Sequence, residues 1–168
     1  MAALLIKSSI TVTTLEHIAA RGHMWAVVDA CDEPSVPPRC EQLGDRAISL
    51  YRGRAQTEYA DIAPYLVLLD KPTIDWISSE LWTRPWGIFI YSEAARDPLR
   101  THLRRFLKVR APDRKPHFFR YYDPEILRAF LESCTRDELE QFFGPIKAYG
   151  VSAASEITFY RRSETMPL

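Results

Sequence analysis

The sequence predicts an α/β fold: a short, mostly parallel or mixed sheet flanked by helices, with a more helical C-terminal lobe. Four runs of about five residues are almost continuously apolar, as strands covered on both faces are. They recur roughly every 20 residues, which leaves room for a crossover helix between parallel strands. The predicted strands are residues 24–28, 47–51, 65–69 and 87–91.

Three helices are predicted in the first half of the chain, one before the first predicted strand and two between predicted strands. Apolar residues at helical spacing place them over residues 15–19, 59–63 and 74–81, and Gly22 ends the first. Residues 33–39 contain three prolines and are predicted as a loop.

An amphipathic helix and a strand pair are predicted next. Asp97 is placed to cap a helix that Pro98 begins, and apolar residues follow at helical spacing up to Leu107. Residues 108–111 and 116–121 are predicted as two strands joined by a turn.

Two further helices have clear start signals. Asp123 precedes Pro124, and Thr135 with Glu138 forms a capping-box pattern. Gly144 precedes a proline and ends the second of these helices. Two weaker strands are predicted in the tail, over residues 146–151 and 156–160.

The length of 168 residues predicts one domain, 1–168, in which a composition shift near Glu93 marks sub-lobes 1–92 and 93–168. Three widely spaced cysteines, an odd number, argue against a disulfide framework and for a reducing compartment. No secretory leader is recognisable, and no apolar run approaches the roughly 20 residues that cross a bilayer. We therefore expect a cytoplasmic protein without a membrane partner.

The charges balance overall but not locally. Twenty-two Lys and Arg match 22 Asp and Glu, so the chain lacks the basic excess of general nucleic-acid binders. Within residues 96–120, however, cations far outnumber Asp97 and Asp113. Arg100, Arg104 and Lys108 recur every four residues, which predicts a positive stripe on one helix face. Such a stripe is either a solvated face paired with the protein's own acids or a docking surface for an acidic partner.

Nucleic acid is an unfavourable partner for a second reason. The two C-terminal helices superficially resemble a helix-turn-helix, but phosphate would repel the acidic second helix with its Asp137, Glu138 and Glu140.

Catalytic and cofactor fingerprints are missing, which favours a protein that is not an enzyme and needs no cofactor. His17, His23, Cys31 and Cys40 match no common metal-ligand spacing, so no metal is expected. Asp29 ends the first predicted strand, where it is either a turn or cap carboxylate or, less favourably, part of a ligand site.

Adjacent aromatic residues follow the basic segment. In a strand, neighbouring side chains point to opposite faces, so one of Phe118 and Phe119, and one of Tyr121 and Tyr122, is expected to face outward or to be covered by another part of the structure. An outward aromatic beside Arg120 is typical of surfaces that anchor protein partners.

Several motifs, in order, resemble a known family. The longest pieces are residues 99–110, 119–124 and 127–131; shorter ones begin at Trp25 and at Trp86. They resemble the adaptor or chaperone domain that serves effectors of the bacterial type VI secretion system, long catalogued as a domain of unknown function.

The resemblance implies a cytoplasmic adaptor that binds one effector, keeps it soluble and helps to load it onto the secretion spike. The spike-tip protein is a further candidate partner. The alternative is a small-ligand-binding or enzymatic domain that uses Asp29 and the strand ends near Asp70 and Ser92. The family supplies no catalytic set, so the expected contact residues come from the basic and aromatic pattern. They are Arg100, Arg104, Arg105, Lys108, Arg120, Trp86, Phe118 and Tyr121.

Overall fold

Nine strands and seven α-helices are present in the part of the chain that the structure describes. This computed structural model describes residues 4–110 and 112–163. The strands are β1 (Leu5–Thr11), β2 (Met24–Asp29), β3 (Ala47–Ser49), β4 (Pro64–Leu68), β5 (Gly87–Tyr91), β6 (Lys108–Arg110), β7 (Pro116–Phe118), β8 (Ala148–Ala153) and β9 (Glu156–Arg162). The helices are α1 (Val12–Ala19), α2 (Val36–Leu43), α3 (Arg54–Glu58), α4 (Lys71–Trp76), α5 (Arg96–Arg104), α6 (Pro124–Ser133) and α7 (Arg136–Phe143).

Seven strands form one sheet in the order β1-β9-β8-β5-β2-β4-β3, and every neighbouring pair is antiparallel. The expectation of a mostly parallel or mixed sheet is therefore wrong. Strand β2 lies between β4 and β5 and runs against both, so these two strands point the same way without touching. All six residues of β2 are buried because helices cover both faces of the sheet. Continuous burial is a property of any sheet covered on both faces, so it does not distinguish parallel from antiparallel strands.

Each half of the chain covers a different face of the sheet. Alternate residues of β2 enter two separate cores, with Ala26 and Val28 in one and Trp25 and Val27 in the other. The first core is closed by residues of α1, α2 and α4, and the second by residues of α5, α6 and α7. The C-terminal half is not a separate helical lobe, since it also supplies β8 and β9 to the sheet.

Helix α2 and strand β1 are among the elements that differ from the sequence prediction. Helix α2 occupies part of the segment predicted as a loop, with Pro37 and Pro38 in its first turn, where a missing N–H breaks no helical hydrogen bond. Strand β1 was not predicted because Ser8 and Ser9 interrupt its apolar pattern. It is an edge strand that pairs with β9 alone, from Leu5 opposite Arg162 to Thr11 opposite Glu156.

Candidate partner-binding surface

Helix α5 uses its arginines to hold an edge of the sheet. It begins at Arg96 with Asp97 in its first turn, and Leu99 and Leu103 are fully buried in the second core. The Arg100 guanidinium is also buried; Nε donates to the carbonyl oxygen of Ser49 at 2.8 Å and Nη2 to that of Tyr51 at 2.7 Å. Burial, with repulsion from neighbouring arginines, lowers the pKa of Arg100 from its ordinary value. Arg100 therefore stabilises the fold and is not exposed to a partner.

The predicted stripe does not exist in the form expected. Arg104 is half-buried and donates to the carbonyl oxygen of Leu50, while Lys108 lies beyond the end of α5, in β6. The residue that continues the spacing in the other direction is Arg96, whose Nη1 donates to the carbonyl oxygen of Asp45 at 2.9 Å. The four-residue repeat thus serves the backbone of β3 and its flanks.

The hairpin of β6 and β7 is the exposed part of the basic segment. Lys108 pairs with Phe118 in the ladder, so their side chains share one face, and the Lys108 Nζ lies 5.3 Å from the centre of the Phe118 ring. The Phe118 side chain is 70% exposed, the most of any large apolar residue described. At the turn, Asp113 accepts from the Lys115 N–H at 2.9 Å, and Arg114 takes a left-handed conformation with φ of 60°.

A groove of about 600 Å³ separates the hairpin from the chain that follows β3. Its apolar part includes Tyr59 and Ile62, which are 50% and 44% exposed, together with Phe118. Exposed apolar side chains that converge on one concavity are typical of a binding surface. The groove is lined by Tyr51, Arg52, Ala55, Tyr59, Ile62, Arg104, Leu107, Lys108 and Phe118.

The charged residues that line the groove are all cations: Arg52, Arg104 and Lys108. None of them forms an ion pair with an acidic residue within 4–110 and 112–163. Burial and the nearby Arg52 lower the pKa of Arg104, as expected where cations crowd together. Arg52 donates instead to the hydroxyl of Thr101 at 3.3 Å.

The aromatic pairs behave differently from each other. For Phe118 and Phe119 the prediction is confirmed: Phe118 faces outward and Phe119 packs against Phe130, with ring centres 4.8 Å apart. For Tyr121 and Tyr122 the outward orientation is wrong, because both are covered by other parts of the structure and are buried. Strand β7 ends at Phe118, and the two tyrosines lie in a turn where alternation does not apply.

Two more of the expected contact residues are internal. The Tyr121 hydroxyl donates to the carbonyl oxygen of Leu103 at 3.0 Å. Trp86 is 3% exposed, belongs to the first core and donates its indole N–H to the hydroxyl of Ser152 at 3.1 Å. With Arg100, these side chains lie inside the fold and cannot contribute to an external surface in this structure. Arg105 is exposed but does not line the groove.

Arg120 fixes the base of the hairpin to the sheet. Its Nη2 lies 2.5 Å from a carboxylate oxygen of Asp29, whose side chain is only 6% exposed. This hydrogen bond raises the pKa of the Arg120 guanidinium. The other Asp29 oxygen accepts from the Cys31 N–H at 3.0 Å, which confirms Asp29 as a turn carboxylate.

The ligand site proposed as an alternative is not assembled. Because β2 runs against β4 and β5, Asp29 lies at one end of the sheet, whereas Asp70 and Ser92 follow strands that end at the other. Asp70 caps α4 and forms an ion pair with Arg46 at 2.6 Å, which holds the pKa of that carboxyl well below its usual range. Ser92 is buried and donates to the carbonyl oxygen of Pro145 at 2.8 Å.

The cysteines and histidines do not gather into a metal site. In the described ranges, no group of three or more His, Cys, Asp or Glu side chains is placed to hold a metal ion. Burial raises the pKa of Cys40 to about 12 and that of Cys134 to about 11, so neither thiol is activated.

Residues 4–110 and 112–163 contain no helix with the length and apolar character to traverse a bilayer.

Sequence reasoning missed the side of the groove formed by Tyr51, Arg52, Tyr59 and Ile62. The helical spacing near Tyr59 suggested an inward face, but α3 has only five residues and a short 3-10 turn, Ala60–Ile62, follows it. A weak signal was available, because Gly53 and the brevity of the apolar pattern are unfavourable for a long packed helix.

Comparison with known proteins identifies a family that the chain matches. No curated protein and no solved structure matches the chain. The family model covers residues 24–141, which is more than two-thirds of the chain and runs from β2 into α7. The groove, the hairpin and the Asp29–Arg120 pair all lie within that stretch. The protein therefore belongs to the family described as Domain of unknown function (DUF4123).

Proposed function

We propose that the protein is a non-enzymatic adaptor of the bacterial type VI secretion system. It binds one effector in the cytoplasm, keeps that effector soluble and helps to load it onto the secretion spike. The resemblance of its ordered motifs to such adaptors supports this role, as does its membership of the family.

The groove is the observation that carries the proposal. It combines three exposed apolar side chains, Tyr59, Ile62 and Phe118, with cations that have no acidic partner in the described residues. Aromatic and arginine side chains dominate the energy of many protein interfaces. A bound effector stabilises the adaptor–effector complex by mass action, so no nucleotide cycle or covalent chemistry is needed.

Co-expression with the effector encoded beside the protein tests the proposal. We expect the two proteins to elute together in size-exclusion chromatography at micromolar concentration, which requires a dissociation constant of about 1 μM or lower. The soluble fraction of the effector should rise with the adaptor present. An effector from another locus, expressed in the same way, is the control. Separate elution of the two proteins, with unchanged effector solubility, would contradict the proposed role.

A further inference from the structure

We infer that the groove binds an acidic polypeptide segment of the effector, one in which carboxylates flank large apolar side chains. This inference specifies the chemistry of the partner in the proposed function. The identification of the bound segment as part of an effector rests on that function. It is argued from charge, from the lining of the groove and from the positions of the cations.

The cations of the groove have no counter-charge in the described residues, unlike several arginines elsewhere in the protein. Arg46 is paired with Asp70, Arg84 with Glu33 and Arg120 with Asp29. Arg52, Arg104 and Lys108 have no such partner in the described residues, and no carboxylate lines the groove. A ligand with carboxylates would supply the missing negative charge.

Two of these cations are held in place before any partner arrives. Arg104 donates to the carbonyl oxygen of Leu50, and Arg52 to the hydroxyl of Thr101. Positioning a long side chain in advance reduces the conformational entropy that binding removes. The remaining donor groups of each guanidinium are available to a carboxylate.

The lining selects a polypeptide over a bare anion. Tyr59, Ile62 and Phe118 offer apolar surface that phosphate or a small carboxylate would leave exposed to water. Leu and Phe side chains of a bound segment would cover this surface, since removing apolar area from water is favourable.

The overall charge disfavours a nucleic acid. The formal net charge of the chain is zero, so the cationic excess of residues 96–120 is balanced by negative charge elsewhere. A long polyanion that extends beyond the groove would meet that charge, whereas a short acidic segment would not.

A charge-reversal pair with a matched control tests the inference. The groove variant is Arg52→Glu with Lys108→Glu; both side chains are exposed, and Arg104 is left unchanged because it supports the fold. The control variant, Arg105→Glu with Lys115→Glu, makes the same change in net charge at exposed positions outside the groove. Thermal unfolding of both variants should stay close to that of the wild type.

Binding is measured first with the effector. We expect the groove variant to raise the dissociation constant at least about tenfold and the control variant less than about threefold. Raising NaCl from about 50 to 500 mM should weaken wild-type binding, because salt screens exposed charges. If the effector binds both variants equally well, the inference is overturned while the proposed function stands.

A second measurement does not need the effector. Fluorescence anisotropy compares three labelled probes: a 16-residue peptide of Glu, Leu and Phe, the same peptide with Lys for Glu, and a 20-nucleotide single-stranded DNA. We expect the acidic peptide to bind most tightly and to lose affinity with the groove variant or with Phe118→Ser. Tighter binding of the basic peptide or the DNA would overturn the inference. If the acidic peptide binds in the groove but no effector does, the proposed function falls and the inference about the groove stands.

Discussion

Helix α5 and the β6–β7 hairpin are both rich in cations, yet they use them in opposite ways. The arginines of α5 point toward the backbone around β3, where Arg96, Arg100 and Arg104 donate to carbonyl oxygens. The hairpin directs Lys108 and Phe118 into an open groove. The Arg100 guanidinium, buried against backbone carbonyls, is part of the fold, whereas Lys108, exposed and without an acidic partner in the described residues, is available to a ligand. Arg104 does both, since it holds the Leu50 carbonyl and also lines the groove. The role of each cation depends on its neighbours in the folded structure and cannot be predicted from the spacing of charges along the chain.

Replacing Arg100 should give the largest effect and sharpens this contrast. Arg100→Met removes the donors to the Ser49 and Tyr51 carbonyl groups and leaves the first acceptor buried and the second partly buried. We expect the free energy of unfolding to fall by about 2–3 kcal/mol and the melting temperature by about 5–10 °C.

Urea unfolding and thermal denaturation measure this change. The matched control is Lys108→Met in the hairpin, which should alter the free energy of unfolding by less than about 0.5 kcal/mol. Equal effects of the two substitutions would break the distinction between α5 and the hairpin.

The pH dependence of stability should reveal a second buried group of α5. His102 is 7% exposed, and its Nε2 donates to the carbonyl oxygen of Phe142 at 2.8 Å. Burial is the main cause that lowers the pKa of this imidazole below its ordinary 6.5. Below that value the unfolded chain binds a proton more readily than the folded one, so stability is lost as the pH falls.

We therefore expect the free energy of unfolding to decrease between about pH 7.5 and 5.5, by less in His102→Gln than in the wild type. Urea titrations at several pH values measure the slope. His117→Gln, a substitution in the exposed hairpin, keeps His102 in place and should retain the decrease. An unchanged slope in His102→Gln would show that other groups cause it.

The smallest effect is expected at the tip of the hairpin. Arg114 takes a left-handed conformation, which glycine adopts without the steric cost that its side chain imposes. Arg114→Gly should stabilise the protein by up to about 1 kcal/mol. Arg110→Gly, within β6, should instead weaken the hairpin, since glycine is unfavourable inside a strand. Urea unfolding of each variant beside the wild type measures the two changes in stability. A loss of stability in Arg114→Gly would mean that the Arg114 side chain makes a favourable contact in the turn.

Local signals in the sequence predicted local structure well. Asp123 accepts from two N–H groups at the start of α6, Thr135 and Glu138 form the complete capping box of α7, and Gly144 ends that helix. Strand β5 has the predicted bounds. Each of these features depends on residues that lie close together in the chain.

Features that depend on contacts between distant segments could not be predicted from such local signals. Strand direction depends on which strands become neighbours, and the apolar runs fit parallel and antiparallel partners equally well. The burial of Arg100 depends on carbonyl groups about 50 residues away. The exposure of Tyr59 and Ile62 depends on the groove that the distant hairpin completes. Six of the nine residues that line the groove were therefore absent from the prediction, while Arg104, Lys108 and Phe118 were included.

The strand order has a practical consequence. Strands β1 and β9 lie side by side at one border of the sheet, and β3, next to Tyr51 in the groove, forms the other. With about 4.8 Å between adjacent strands, these borders are about 29 Å apart. A fluorophore joined just before β1 or just after β9 would leave the groove unobstructed. It would still be near enough for resonance energy transfer to a dye on the bound segment, so occupancy can be followed in solution in real time.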